Sequence, residues 1–146
     1  MQYKHPQLLI IENNPGDVIL VKLALEELGL DFNIYDVETA EDGLDFLHKR
    51  KQFANIQELP NLIIADLSMP GIGGMELLKI LKESATFSAI PIAIMTTSAR
   101  VSDREMCMDL GAERVVIKPF SVDEYLTEFA FVKQYFKLPQ NILVKA

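Results

Sequence analysis

Cysteine, tryptophan and long apolar runs are scarce or absent in this chain of 146 residues. Cys107 is the only cysteine, so no disulfide can form within the chain, and its helical surroundings predict a buried apolar thiol rather than a redox group. No apolar stretch is long enough to span a bilayer, and Glu12 interrupts the segment that could have been the apolar centre of a signal peptide. We therefore expect a protein that stays in the cytoplasm and does not enter a membrane.

Basic residues are also few in this chain. The 14 lysine and arginine residues are outnumbered by 21 aspartate and glutamate residues, which gives a formal net charge of −7. A nucleic-acid surface needs clustered basic side chains to neutralise phosphates. The composition therefore predicts no direct binding of nucleic acid.

The remaining composition is typical of one globular domain. Hydrophobic residues make up 49% of the chain and charged residues 24%, which suits a single domain with an apolar core. We predict a single domain over residues 1–146, with its core at about 7–136 and a C-terminal tail at 137–146.

Short apolar runs alternate with amphipathic stretches along the chain. The runs predict five strands, at residues 8–11, 32–37, 62–66, 90–95 and 115–117. A helical pattern follows each strand, and the candidate N-caps are Asn14, Thr39, Ser102 and Ser121. Five β-α units with right-handed crossovers form a doubly wound parallel α/β sheet. The second strand is the most polar and belongs at an edge, which favours the flavodoxin-like strand order 2-1-3-4-5.

Polar side chains stand at the ends of the predicted inner strands. They are Glu12 and Asn13 after the first strand, Asp66 at the end of the third, Thr96 after the fourth and Lys118 after the fifth. Because the carboxyl ends of parallel strands meet at one edge of the sheet, we expect these groups to converge. Carboxylate and amide oxygens suit Mg²⁺, and a carboxylate can accept a phosphoryl group. Asp66 is the candidate acceptor, although each of these residues taken alone could be an ordinary turn or surface residue.

The chain resembles a response-regulator receiver domain of two-component signalling over about residues 7–136. The segments that carry the resemblance are residues 9–15 (LIIENNP), 66–74 (DLSMPGIGG), 94–97 (IMTT) and 118–120 (KPF). The chain is also similar to short stand-alone receivers paired with phytochrome-type sensor kinases. The features that it shares with them are the Asn-Pro pair, the Thr-Thr-Ser run and the long loop before the third strand.

The resemblance implies that Asp66 accepts a phosphoryl group from a phosphohistidine on a sensor histidine kinase or a phosphotransfer protein. The implied Mg²⁺ ligands are Glu12, Asn13, Asp66 and the backbone carbonyl of Ser68. Thr96 and Lys118 would contact the phosphoryl group, and the peptide bond between residues 118 and 119 would be cis. A protein of this kind is a phosphoryl acceptor that can dephosphorylate itself, and not a turnover enzyme.

Three positions depart from the pattern of the family. Asn13 stands where a second acid is usual, which keeps an oxygen ligand but removes a negative charge, so we expect weaker metal binding. Thr97 replaces a smaller residue, which predicts slower access to Asp66. Val115 replaces the aromatic residue of the usual rotating switch, so any switch must work through Thr96 and the neighbouring backbone.

Other functions remain open at this point. A degenerate receiver that binds partners without phosphorylation is the main alternative, and Asn13 supports it. A phosphohydrolase would need a general acid where Ser68 stands, and a flavin-binding protein would need a phosphate loop where the acidic segment 12–15 stands.

The short C-terminal tail suggests that the signal leaves through a surface. Phe131, Tyr135 and Leu138 are spaced as a second apolar stripe on the last helix. We interpret it as part of a homodimer or kinase-docking face formed by the fourth helix, fifth strand and fifth helix, or as a surface that the tail covers.

Overall fold

The computed structural model describes residues 6–29 and 31–136. The predicted tail at 137–146, including Leu138 of the apolar stripe, lies outside the described residues. The chain forms one five-stranded parallel sheet in the order β2-β1-β3-β4-β5, which confirms the predicted fold class. The strands are β1 Gln7–Ile11, β2 Asn33–Val37, β3 Leu62–Asp66, β4 Ile92–Thr96 and β5 Arg114–Ile117.

The three inner strands are buried along their whole length, as continuous apolar runs in a parallel sheet should be. Alternate side chains point to opposite faces, so Ile10 and Ile64 pack in one core cluster and Ile11 and Ile63 in the other. In the edge strand β2, only Val37 is buried, and Asn33 and Asp36 are exposed. The inner strands therefore have both faces covered, and their ends are the places where polar groups can reach a sheltered pocket.

Five α-helices cover the two faces of the sheet. They are α1 Pro15–Glu26, α2 Ala40–Leu47, α3 Gly74–Glu83, α4 Val101–Asp109 and α5 Val122–Glu128. Helices α1 and α5 pack with one core cluster, and α2, α3 and α4 with the other. Cys107 is fully buried on α4, as predicted for an apolar thiol.

Most of the predicted N-caps are present. Asn14 accepts hydrogen bonds from the backbone of Gly16 and Asp17, Thr39 accepts one from Asp42, and Ser121 accepts one from Glu124. Ser102 is not a cap, because α4 begins before it and its N-cap, Arg100, makes no side-chain cap bond. The preceding loop satisfies the start of α4 instead, since the Ser98 hydroxyl accepts from the Arg100 N–H and donates to Asp103.

The last helix is shorter than its pattern predicts. It ends at Glu128, and a 3₁₀ segment follows at Ala130–Tyr135. Phe131 and Tyr135 pack against the core cluster on the α1–α5 face, and the Arg114 guanidinium lies 4.5 Å from the centre of the Phe131 ring. The interpretation of these two residues as a stripe apart from the core is therefore wrong, because the change of helix type turns both side chains toward the core.

The peptide bond between Lys118 and Pro119 is trans, since no cis bond occurs in the described segments. The expected cis bond is therefore wrong. The trans form is the lower-energy isomer for a bond before proline, and Lys118 reaches the acidic residues from it. Within the described residues, no helix is both long enough and apolar enough to cross a bilayer.

Candidate functional site

Glu12 is held in place at the end of β1. Its N–H donates to the Val37 carbonyl at 3.0 Å, which extends the pairing with β2, and only 2% of the residue is exposed. One carboxylate oxygen, Oε1, accepts from the Asn14 N–H at 3.0 Å. The other, Oε2, is buried and makes no hydrogen bond with any described residue, although Lys118 Nζ lies 3.1 Å away as an ion pair. Glu12 therefore presents an oxygen with spare bonding capacity to the pocket.

The environment of Glu12 disfavours its charge. Burial raises the pKa of Glu12 from 4.5 to about 7, and the charge of Asp66 adds to this effect. The Asn14 N–H and the Lys118 ammonium act in the opposite direction but do not cancel it. A cation that bound at Oε2 would stabilise the ionised form that the unliganded pocket disfavours.

Asp66 lies at the end of β3 and is 4% exposed. Its Oδ1 accepts from the Ser68 N–H at 3.3 Å, and its Oδ2 accepts from Lys118 Nζ at 3.2 Å. Gly74 begins α3 directly against this strand end: a Cβ there would lie 2.5 Å from the Asp66 carbonyl oxygen and 2.7 Å from Leu67 Cα. Only glycine permits this approach, so the helix start fixes the backbone that carries Asp66.

Lys118 connects the acidic groups. Its N–H donates to the Thr96 carbonyl at 2.7 Å, beside the β4–β5 ladder. Its Nζ lies 2.7 Å from Asp17, 3.1 Å from Glu12 and 3.2 Å from Asp66. Burial lowers the pKa of Lys118, but the hydrogen bond to Asp17 and the charges of Asp66 and Glu12 outweigh it, so the pKa is raised overall. The ammonium is therefore charged at any physiological pH.

Asp17 is a site residue that the sequence analysis missed. It is an ordinary acid in the first turn of α1, where a negative charge also favours the helix dipole. The available signal was its position four residues after Asn13, on the first turn of a helix that begins at the pocket. Its contact with Lys118 joins residues 101 positions apart in the chain, so this local signal could place Asp17 near the pocket but could not show its partner.

Thr96 ends β4 and is 3% exposed. Its hydroxyl oxygen accepts from the Ser98 N–H at 2.9 Å, which uses a lone pair and leaves the hydroxyl proton available for donation. Thr97 next to it is exposed, and Val115 is half-buried against the core.

Asn13 is the predicted residue that the structure does not bring into the ion-pair cluster. It is exposed and lines a groove of about 250 Å³, whose wall also contains Glu12, Pro15 and Val18. The structure thus brings Glu12, Asp66 and Lys118 together, with Ser68 bonded to Asp66 and Thr96 bonded to the Lys118 backbone. Asn13 therefore lies beside the cluster, on the wall of the groove.

The donor set fits a hard cation. The unsatisfied Oε2 of Glu12, the Asp66 carboxylate and the Asn13 amide all offer oxygen, the ligand type of Mg²⁺. Across the described residues, no three His, Cys, Asp or Glu side chains form a metal-binding cluster.

The strand order and the helices on both faces of the sheet are those of a flavodoxin-like receiver fold. Residues 8–130 match the response regulator receiver domain family, and the chain belongs to that family. It is 31% identical over 136 residues to the DNA-binding dual master transcriptional regulator RpaA of Synechocystis sp., an alignment that covers 92% of this chain and 52% of that protein. The chain thus spans about half the length of this relative.

Two solved structures show the same fold over nearly their whole length. The phosphorylated cyanobacterial phytochrome response regulator RcpA has a TM-score of 0.81 at 22% identity, covering 91% of this chain and 94% of that one. The Mn²⁺-bound form of response regulator Rcp1 has a TM-score of 0.80 at 22% identity, covering 92% of this chain and 99% of that one. At 22% identity, these neighbours show that the chain shares their fold.

Proposed function

We propose that Asp66 accepts a phosphoryl group from a phosphohistidine on a sensor histidine kinase or a phosphotransfer protein, in a Mg²⁺-dependent reaction. The observation that carries the proposal is the buried Asp66 carboxylate at the end of the central strand, 3.2 Å from the Lys118 ammonium. A carboxylate oxygen would attack phosphorus, the P–N bond would break, and its electron pair would return to the imidazole of the donor. The exchange would take place in the cytoplasm.

The residues around Asp66 have complementary tasks in this proposal. Glu12, Asn13, Asp66 and the Ser68 carbonyl would hold Mg²⁺, which when bound neutralises charge on the phosphoryl oxygens. Lys118 would pair with one phosphoryl oxygen, and the Thr96 hydroxyl proton would be donated to another. The protein would act as a switch that stores a phosphoryl group, and not as a turnover enzyme.

A small phosphodonor tests the proposal. Incubation with Mg²⁺ and acetyl phosphate should add the mass of one phosphoryl group to the intact protein, and chelation of Mg²⁺ should prevent it. Asp66→Asn should show no adduct, whereas Asp109→Asn, which removes an exposed acid at the last residue of α4, should keep it. A well-folded wild-type protein that never gains the adduct would contradict the proposal.

The alternative is a degenerate receiver that binds its partners without phosphorylation. The exposed position of Asn13 and the raised pKa of Glu12 favour it, because both reduce the charge available to a metal. The same experiment distinguishes the two functions. The alternative predicts that the wild-type protein gains no adduct and that Asp66→Asn still binds the partner.

We further infer that the α4-β5-α5 face forms a homodimer. Its apolar side chains are exposed: Val101 by 64%, Ile117 by 41% and Val122 by 48%. This set replaces the half-buried Phe131 and Tyr135 as the contact surface. Light scattering should show a dimer that Val101→Asp with Ile117→Asp dissociates, whereas Ile19→Asp on α1, also at an exposed apolar position, should leave it intact. An unchanged mass for the α4-β5 double variant would reject this interface.

A further inference from the structure

Asp17 makes the shortest contact of Lys118 with any carboxylate in the pocket. The Asp17 Oδ2–Lys118 Nζ distance is 2.7 Å, against 3.1 Å to Glu12 and 3.2 Å to Asp66. The lysine side chain is only 11% exposed and that of Asp17 22%, so little water screens the pair. Asp17 also hydrogen-bonds the ammonium, whereas the Glu12 contact is an ion pair without hydrogen-bond geometry.

This contact changes the charge available to a cation. Without Asp17, the ammonium would neutralise one of the two remaining acids, Glu12 or Asp66, and the pocket would carry a net charge of minus one. With Asp17, three carboxylates face one ammonium, and the net charge is minus two when all are ionised. A dication is fully balanced only in the second case.

The net charge of the pocket matters because position 13 carries no acid. An acid at that position would add a negative charge near the Glu12 carboxylate, but the chain has Asn13 there, on the wall of the open groove. The first turn of α1 places Asp17 against Lys118, and Asp17 is not among the residues that line the groove. The negative charge absent from the groove side is thus present on the lysine side.

We propose that Asp17 is a positioning residue that makes the shortest contact with the Lys118 ammonium and so leaves more of the negative charge of Glu12 and Asp66 available to a divalent cation, in compensation for the amide at position 13. The inference rests on the proposed Mg²⁺ dependence. It assigns Asp17 no contact with the metal itself. Its effect is carried by the negative charge that it places beside the Lys118 ammonium.

The expected effect is a loss of cation affinity in Asp17→Asn. Removing one unit charge from a site that binds a dication weakens binding by about tenfold when the interaction is screened as in water. Asparagine can still hydrogen-bond near Lys118 and is tolerated in the first turn of a helix, so the variant should remain folded, which circular dichroism checks. Moving the charge back, in the double variant Asn13→Asp with Asp17→Asn, should return the affinity to within about threefold of wild type.

A titration with Mg²⁺ alone tests the inference, monitored by the backbone amide NMR signals around Glu12 and Asn14. Glu26→Gln is the matched control, because it removes one negative charge from the far end of the same helix and should leave the affinity unchanged. Equal affinities for wild type and Asp17→Asn would overturn the inference alone. A loss that the double variant does not restore would also overturn it, since Asp17 would then act through geometry and not charge. If the wild-type protein binds no Mg²⁺, the metal dependence of the proposed function fails and the inference fails with it.

Discussion

Glu12→Gln should make the folded protein more stable at neutral and alkaline pH. The pocket raises the pKa of Glu12 to about 7 from an ordinary value of 4.5, so the folded state binds a proton that the unfolded state has already released. Stability therefore falls as pH rises through the interval from about 4.5 to about 7. Glutamine has nearly the shape of the protonated acid and cannot ionise, so the variant should not show this loss.

The size of the effect follows from the shift. The rise in pKa from 4.5 to about 7 corresponds to about 3 kcal/mol, at about 1.4 kcal/mol for each pKa unit. Most of this difference should develop between about pH 4.5 and about pH 7. The two proteins should have similar free energies of unfolding at the lower pH, and Glu12→Gln should be more stable by about 2–3 kcal/mol at the higher one.

Urea denaturation across this pH range, without divalent ions, measures the difference directly. The slope of unfolding free energy against pH is the quantity to compare, because it depends on Glu12 ionisation and not on other consequences of the substitution. Adding Mg²⁺ should stabilise the wild-type protein at the higher pH more than the variant, since bound cation favours the ionised carboxylate. Parallel pH profiles for the two proteins would refute the account of Glu12 as a carboxylate held out of its charged form by burial.

Two further substitutions test the construction of the pocket. Lys118→Met should lower the free energy of unfolding by about 3–5 kcal/mol at alkaline pH, because it leaves buried acids unpaired. The loss should be smaller at acidic pH, where Glu12 is protonated. A loss that does not change with pH in urea denaturation would contradict this reasoning. Gly74→Ala should lower the free energy of unfolding by at least about 2 kcal/mol, because its Cβ would collide with the Asp66 carbonyl. Gly29 has φ +68° and no atom within 4 Å of the Cβ position, so Gly29→Ala should lower it by only about 1 kcal/mol. Equal losses of melting temperature in the two glycine variants would argue against the close contact.

The fold could be predicted because its signals are local. The buried runs of β1, β3 and β4 and the polar residues of β2 each reflect the position of a strand in the sheet, so they also indicated the strand order. The convergence of Glu12, Asp66 and Lys118 followed from that order, since each stands at the end of a strand.

The features that could not be predicted depend on contacts distant in sequence or on competing local bonds. Asp17 belongs to the pocket only because α1 turns it toward a lysine at the end of β5. Ser102 has the spacing of a cap, but Ser98 already serves the start of α4. Phe131 and Tyr135 fit a continuous helix, but the helix ends at Glu128 and the following 3₁₀ segment packs both against the core.

The hydrogen bond between the Lys118 N–H and the Thr96 carbonyl makes the ends of β4 and β5 one mechanical unit. The Lys118 ammonium and the Thr96 hydroxyl, which would contact a phosphoryl group in the proposed reaction, therefore lie on two coupled strand ends. Asp66 and Glu12 lie on the neighbouring strands β3 and β1. A displacement of one strand end would therefore also displace the other. Binding in the pocket would in this way shift the exposed face beside Ile117, without any aromatic side chain changing its rotamer.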